Sequence, residues 1–188
     1  MRLGAFLNIA GHHVAAWRHP RSQPDAATNF PHYLAMAQSA ERAKFDMVFF
    51  ADTIAVRTGD IEAVSRSTQY IAGFEPITLI SALSVLTKHI GFVATASSSY
   101  NEPYNIARKF ASIDHISHGR AAWNIVTTFA DGSVNFSRSR HPEHGERYAI
   151  AEEFVSVVKG LWRSWDPDPY VQDKARGIYI DVEKMRSE

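Results

Sequence analysis

Four short apolar runs in this chain each end on side chains able to bind or activate a small organic molecule. Leu3 to Ile9 delivers Asn8 and then Gly11-His12-His13, and Asp46 to Ala51 delivers Asp52. His89 to Thr95 closes on Thr95 and passes to Ser97, Ser98 and Ser99, while Ala121 to Thr127 carries Asn124 and Thr127 and passes to Thr128. The loop beyond adds His141-Pro142-Glu143-His144 and leads to Tyr148. Hydroxyls, amides, imidazoles and a carboxylate together suit a polar organic ligand, and imidazoles move protons near neutral pH. The set suits a hard cation poorly, since such ions want several oxygens. His12-His13, His115-x-x-His118 and His141-x-x-His144 suggest metal ligation, but spacing places no third ligand or thiolate, so no metal is expected. No Gly-x-Ser-x-Gly elbow exists for a serine hydrolase. Plain readings stand beside these: Asp52 can cap the segment after it, and the serine run can be a turn. Trp123 reads as core rather than a stacking surface.

The elements that must position these groups alternate strand, loop and helix. A polar loop with His and Pro follows the first run to Pro31. Leu34, Ala37, Ala40 and Phe45 then recur at helical spacing between His32 and Phe45. After the second run, Thr53 to Glu75 reads as a long loop. Pro76 suits a first helical turn, with Ile77, Ile80, Leu83 and Leu86 continuing the pattern. Pro103 opens another helix with Ile106, Phe110 and Ile113 on one face. His118 suits the negative end of its dipole, and Gly119 suits the left-handed cap. Arg147 to Trp162 is a further helix, its stripe being Ile150, Phe154, Val157 and Leu161. From Asp166 onward no strand or helix is expected.

Nearly all-apolar strands alternating with helices indicate an α/β fold with a covered parallel sheet. An open doubly wound sheet and part of a (β/α) barrel both meet that description. The first β-to-α loop lacks Gly-x-Gly-x-x-Gly, which weakens the open-sheet reading. The 188 residues carry 20 basic and 20 acidic side chains and no cysteine. A zero net charge offers no field for sequence-independent phosphate binding, so nucleic acid is not an expected partner. Disulfides, thiolate metal sites and a cysteine nucleophile are excluded. No apolar run reaches the roughly 18 residues of a membrane span, and the N-terminus lacks a signal-peptide pattern, so a cytoplasmic location is expected.

Longer ordered blocks carry a resemblance. They are Gly11-His12-His13-Val14-Ala15-Ala16-Trp17-Arg18-His19-Pro20, Val48-Phe49-Phe50-Ala51-Asp52, and Ala94-Thr95-Ala96-Ser97-Ser98-Ser99-Tyr100-Asn101-Glu102-Pro103-Tyr104. They continue through Ala107-Arg108-Lys109-Phe110-Ala111-Ser112-Ile113-Asp114-His115, Gly119-Arg120-Ala121-Ala122-Trp123-Asn124-Ile125-Val126-Thr127 and His141-Pro142-Glu143-His144. In these the chain resembles the bacterial luciferase-like superfamily. Within it, the chain is similar to the large components of two-component monooxygenases acting on nitrilotriacetate, EDTA or dibenzothiophene sulfone.

The resemblance implies a TIM-like (β/α)8 barrel, of which this chain supplies about the first four βα units. Residues 1 to 165 would be its N-terminal half, and 166–188 the start of an insertion or an irregular tail. It implies reduced FMN and O2 as co-substrates, with one oxygen atom passed to a small organic substrate. A flavin reductase would supply the reduced FMN, and the enzyme would be a homo-oligomer. By motif match Asp52, Thr95, His144 and Tyr148 would contact the flavin, Tyr148 towards its phosphate end; strand position adds Asn124. His12 and His13 would flank the substrate, one acting as acid or base. A full barrel needs about 250 residues, so a truncated chain is expected, with two open sheet edges and an exposed inner face. A non-catalytic flavin-binding or assembly fragment is one alternative. Another is a flavin- or deazaflavin-dependent reductase of the same superfamily, and a third a doubly wound nucleotide-binding module.

Overall fold

The computed structural model describes residues 1–56, 59–66, 68 and 71–186. Its main sheet holds β1 (Gly4–Phe6), β2 (Met47–Phe50), β3 (Gly91–Ser97) and β4 (Ala121–Val126). All neighbours are parallel and lie in chain order, β1-β2-β3-β4. Crossovers between parallel strands are right-handed, so a sheet that advances always in one direction collects its helices on one face. A doubly wound sheet instead reverses its order at a switch point. The observed order is the barrel progression, which periodicity alone left open.

The crossovers are α1 (Phe30–Arg42), then the short α2 (Ile61–Val64) with α3 (Pro76–Ser84), then α4 (Pro103–Ser117). α5 (His144–Arg163) follows β4. Local chemistry sets the starts. The Glu75 carboxylate accepts from the N–H groups of Ile77 and Thr78, with Pro76 filling the first turn. Glu143 and Glu146 form a capping box on α5. At the end of α4 both His118 (φ 56°) and Gly119 (φ 80°) are left-handed, so the histidine itself takes the cap that glycine was expected to supply.

Side-chain alternation then sorts the two sheet faces. Val48, Phe50, Phe92, Ala94 and Ala96 are buried against Ala37, Ile80, Leu83, Ile106, Phe110, Phe154 and Val158. Full burial of a side chain such as Phe92 or Leu83 stabilises by about 1.5–3 kcal/mol. On the opposite, concave face stand Phe6, Met47, Phe49, Val93, Thr95 and Asn124, paired Phe6↔Phe49, Phe49↔Val93 and Thr95↔Asn124. Phe6 and Met47 are 49% and 42% exposed there.

Several boundaries and faces differ from the sequence reading. β1 is only three residues long. α1 starts at Phe30, because the Asn29 side chain accepts from His32 N and caps it. Within the expected loop Thr53 to Glu75, Asp60 caps the one-turn α2; residues 57, 58, 67, 69 and 70 of that loop lie outside the described residues. Leu86 lies past the end of α3 and is 46% exposed. α5 starts at His144 rather than Arg147, and it buries Phe154 and Val158 while Val157 and Leu161 stay exposed. Its main packing neighbours are α4 and Trp123, so a narrow i, i+4 line suffices. Past Asp166 there is a two-stranded antiparallel hairpin, β5 (Tyr170–Asp173) and β6 (Ile178–Ile180). Its turn is held by Asp173, whose Oδ1 accepts from Ala175 N and Arg176 N, and by Gly177 at φ 66°. Runs this short carry too little alternation to be recognised. Among the described residues no helix is long and apolar enough to cross a membrane.

Candidate functional site

Adjacent strands bring Thr95 and Asn124 together. The Thr95 hydroxyl donates to Phe50 O at 2.8 Å and accepts from Asn124 Nδ2 at 2.9 Å. One buried oxygen thereby joins β2, β3 and β4 on the concave face. The register makes this possible: Thr95 and Asn124 are direct partners, so both side chains leave the same face.

Asp52 stands two residues beyond β2, in a cleft of about 540 Å³. Phe6, Leu7 and Ile9 from the end of β1 form part of the wall, with Tyr33, Phe74 and Phe136. Asn8, Asp52, Thr53 and Glu75 are among its polar groups. The volume and the mix of apolar wall with a few polar groups are those of a small-molecule pocket. Asp52 is open to solvent on one side, yet burial on the others pushes its carboxyl above the usual range. The Thr53 N–H opposes that shift and the nearby Glu75 charge adds to it.

The other expected residues lie as follows. His12 folds back on β1, with Nε2 3.3 Å from Phe6 O and its ring edge-on to Phe6 at 5.1 Å. His13 Nδ1 accepts from Ala15 N at 3.1 Å and closes its own turn. His144 and Tyr148 share the first turns of α5 with ring centroids 5.0 Å apart, and Tyr148 is 58% exposed. Of the expected residues Asp52 alone lines its cleft; Thr95, Asn124, His12, His13, His144 and Tyr148 do not.

The serine run follows its plain reading. Ser97 Oγ accepts from Ser99 N and from Thr128 Oγ1, and Ser99 Oγ donates to Thr127 O, so the hydroxyls stitch the loop after β3 to the end of β4. Trp123 is partly buried against the core: it packs between Phe110 and Phe154 and donates to Ala96 O at 3.0 Å. Among the described residues, no three His, Cys, Asp or Glu side chains converge to hold a metal. Sequence reasoning missed Glu75 as a neighbour of Asp52 and missed the contacts that Tyr100, His141 and Arg147 make with one another. Only an aromatic directly after the serine run hinted at the latter.

Comparison with known proteins adds the following. The model of the luciferase-like monooxygenase family matches residues 9–179. The N-acetyl-S-(2-succino)cysteine monooxygenase of Bacillus subtilis (strain 168) is 47% identical over 186 residues, covering 98% of this chain and 41% of that protein. Nitrilotriacetate monooxygenase component A of Aminobacter aminovorans is 45% identical, covering 98% of this chain and 42% of that protein. The crystal structure of a riboflavin lyase, with modified FMN and riboflavin as substrate, superposes with a TM-score of 0.87 at 33% identity. It covers 99% of this chain and 43% of that one. The chain thus spans about two-fifths of the length of the relatives it matches.

Proposed function

This chain belongs to the luciferase-like monooxygenase family, and on that premise we propose that it forms the N-terminal part of a reduced-FMN and O2-dependent monooxygenase acting on a small organic substrate. The observation that carries the reading is the cleft at the C-terminal ends of β1 and β2, where barrel enzymes place their chemistry. Its residues fit a flavin. Apolar walls suit the hydrocarbon part of the ring system, and Asn8 and Asp52 offer a donor and acceptors to its polar edge. The FMN in the riboflavin lyase structure, a relative at 33% identity, supports the choice of flavin.

In this reading the flavin reaches beyond the cleft, which Asp52 alone of the five assigned residues lines, along the strand tips to Thr95 and Asn124 and on to His144 and Tyr148, with Tyr148 towards the phosphate. When bound, reduced flavin activates dioxygen for transfer of one oxygen atom. The chain's own part is to orient it and exclude water. Thr95 fixes Asn124, so the amide meets the ligand without reorganising. Asp52, its carboxyl raised by burial, keeps its proton to higher pH than an ordinary aspartate. His12 or His13 serves the substrate as acid or base. A flavin reductase provides reduced FMN, and copies of the chain associate. Residues 1–165 act as the N-terminal half of a barrel, with the hairpin region opening an insertion.

Anaerobic titration with reduced FMN, followed by rapid mixing with O2, tests this. Saturable binding and a transient absorbance unlike oxidised or reduced flavin is the expected result. Binding without the transient favours a second reading, a non-catalytic flavin-binding or assembly fragment. The open concave face, with Phe6 and Met47 exposed, is the observation behind that reading. No binding by the folded chain refutes both.

A further inference from the structure

A chain of hydrogen bonds beside the cleft joins three segments at the strand tips. Tyr100, buried in the loop between β3 and α4, has its hydroxyl 2.5 Å from His141 Nδ1. The two ring planes are only 16° apart. On the other side of the imidazole, Arg147 Nη1 lies 2.9 Å from His141 Nε2, and it also donates to Pro142 O at 3.0 Å. The Gly132 N–H donates to the Tyr100 oxygen at 3.2 Å.

The polarity of this chain follows from its chemistry. A guanidinium has donors only, so His141 Nε2 must accept. A neutral imidazole that accepts at Nε2 carries its hydrogen on Nδ1. An imidazolium would set one N–H against another beside a second positive charge. The Nδ1–H therefore donates to the Tyr100 oxygen, which takes the Gly132 N–H as well.

We propose that Arg147 locks His141 in its neutral Nδ1–H form, and that Tyr100–His141–Arg147 is a positioning device fixing the start of α5 to the tip of β3. This role rests on the flavin reading above, because Arg147 directly precedes Tyr148 and His144 opens the same helix. The charged or titratable groups that face His141 are Tyr100, Arg147 and the Asp131 carboxylate, itself engaged by Ser133. A separate outer clamp, Arg140 to Glu146 at 2.8 and 3.0 Å, steadies the same turn without touching the imidazole. None of the three residues needs to touch the reacting atoms.

The test has a spectroscopic arm and a binding arm, both on the full chain. Long-range proton–nitrogen NMR of 15N-histidine-labelled protein reads the tautomer directly. The expected result is Nδ1–H for His141, switching to Nε2–H in Arg147→Met. An Nε2–H or doubly protonated His141 in the unaltered chain overturns the lock. In the binding arm, His141→Phe keeps a ring but loses both contacts, while His141→Gln returns an acceptor to Arg147. FMN affinity is expected to fall about tenfold in His141→Phe and to recover in part with Gln, a tenfold step being about 1.4 kcal/mol. Unchanged FMN affinity in a folded His141→Phe refutes the positioning role while leaving the flavin reading intact. Failure of the unaltered chain to bind FMN removes the flavin reading and the positioning role with it, and the NMR result then judges the lock alone.

Discussion

Thr95→Val removes one oxygen atom and almost no volume, which makes it a clean probe of the junction between β2, β3 and β4. The hydroxyl makes two bonds, 2.8 Å to Phe50 O and 2.9 Å from Asn124 Nδ2. Thr95 is 4% exposed and Phe50 3%, so water does not readily replace either bond. Losing one net hydrogen bond costs about 1 kcal/mol, and stranding a partly buried amide donor adds about 1–2 kcal/mol. The new methyl group returns somewhat less than about 0.8 kcal/mol. A net loss of about 2 kcal/mol follows, or about 4–8 °C in Tm for a chain of this size. Asn124→Ala should cost about 1 kcal/mol, and the double variant about as much as Thr95→Val alone, because the stranded donor is gone. Urea unfolding of all four proteins gives the coupling energy, expected near 1 kcal/mol. FMN titration of the same samples should show weaker binding in both single variants. Strict additivity, or a Thr95→Val loss below about 0.5 kcal/mol, would refute the claim that this oxygen ties the strands together.

Asp52 gives a prediction of opposite sign. Its folded carboxyl lies above its unfolded value, so its contribution is present at low pH and lost as pH rises through the folded value. Asp52→Asn should therefore stabilise the chain at neutral pH, by less than about 1 kcal/mol given its access to solvent, while weakening FMN binding. A lower Tm for the variant at pH 7 would contradict this. Glu41 and Asp46 behave the other way. Burial works against the charged Glu41, but the N–H groups of His89, Lys88 and Ile90 all reach its Oε1, and the net shift is downward. The Leu3 N–H and the Arg2 guanidinium hold Asp46 down. Stability should thus fall as pH drops through the lowered values of both carboxylates. Glu41→Gln should flatten that acid limb in a pH series of thermal melts. Arg120 donates to Ser84 O, Thr87 Oγ1, Ile90 O and Ser117 O and lies over the Phe92 ring. Arg120→Met should cost about 3 kcal/mol by stranding buried carbonyls, read by urea unfolding.

The amino-acid sequence by itself determined the strand-and-helix alternation, because apolar runs ending on turn residues and helices opened by Pro76 and Pro103 are local properties of the chain. It also placed Asp52, Thr95 and Asn124 at or near strand tips. Strand order was not legible, since neither handedness nor neighbour choice leaves a mark on periodicity; only pairing in space separated a barrel progression from a doubly wound sheet. The contact of Thr95 with Asn124 needed the register of β3 against β4, and a slip of one residue would have sent the two side chains to different faces. The link from Tyr100 to His141 spans a sequence separation of 41 residues, and none of the residues between them encodes it. α5 shows the same limit at short range. Its stripe predicted burial at Val157 and Leu161, but with α4 and Trp123 as its neighbours only the line through Phe154 and Val158 is covered. Local pattern states which side chains are able to be buried, and the packed neighbours decide which of them are.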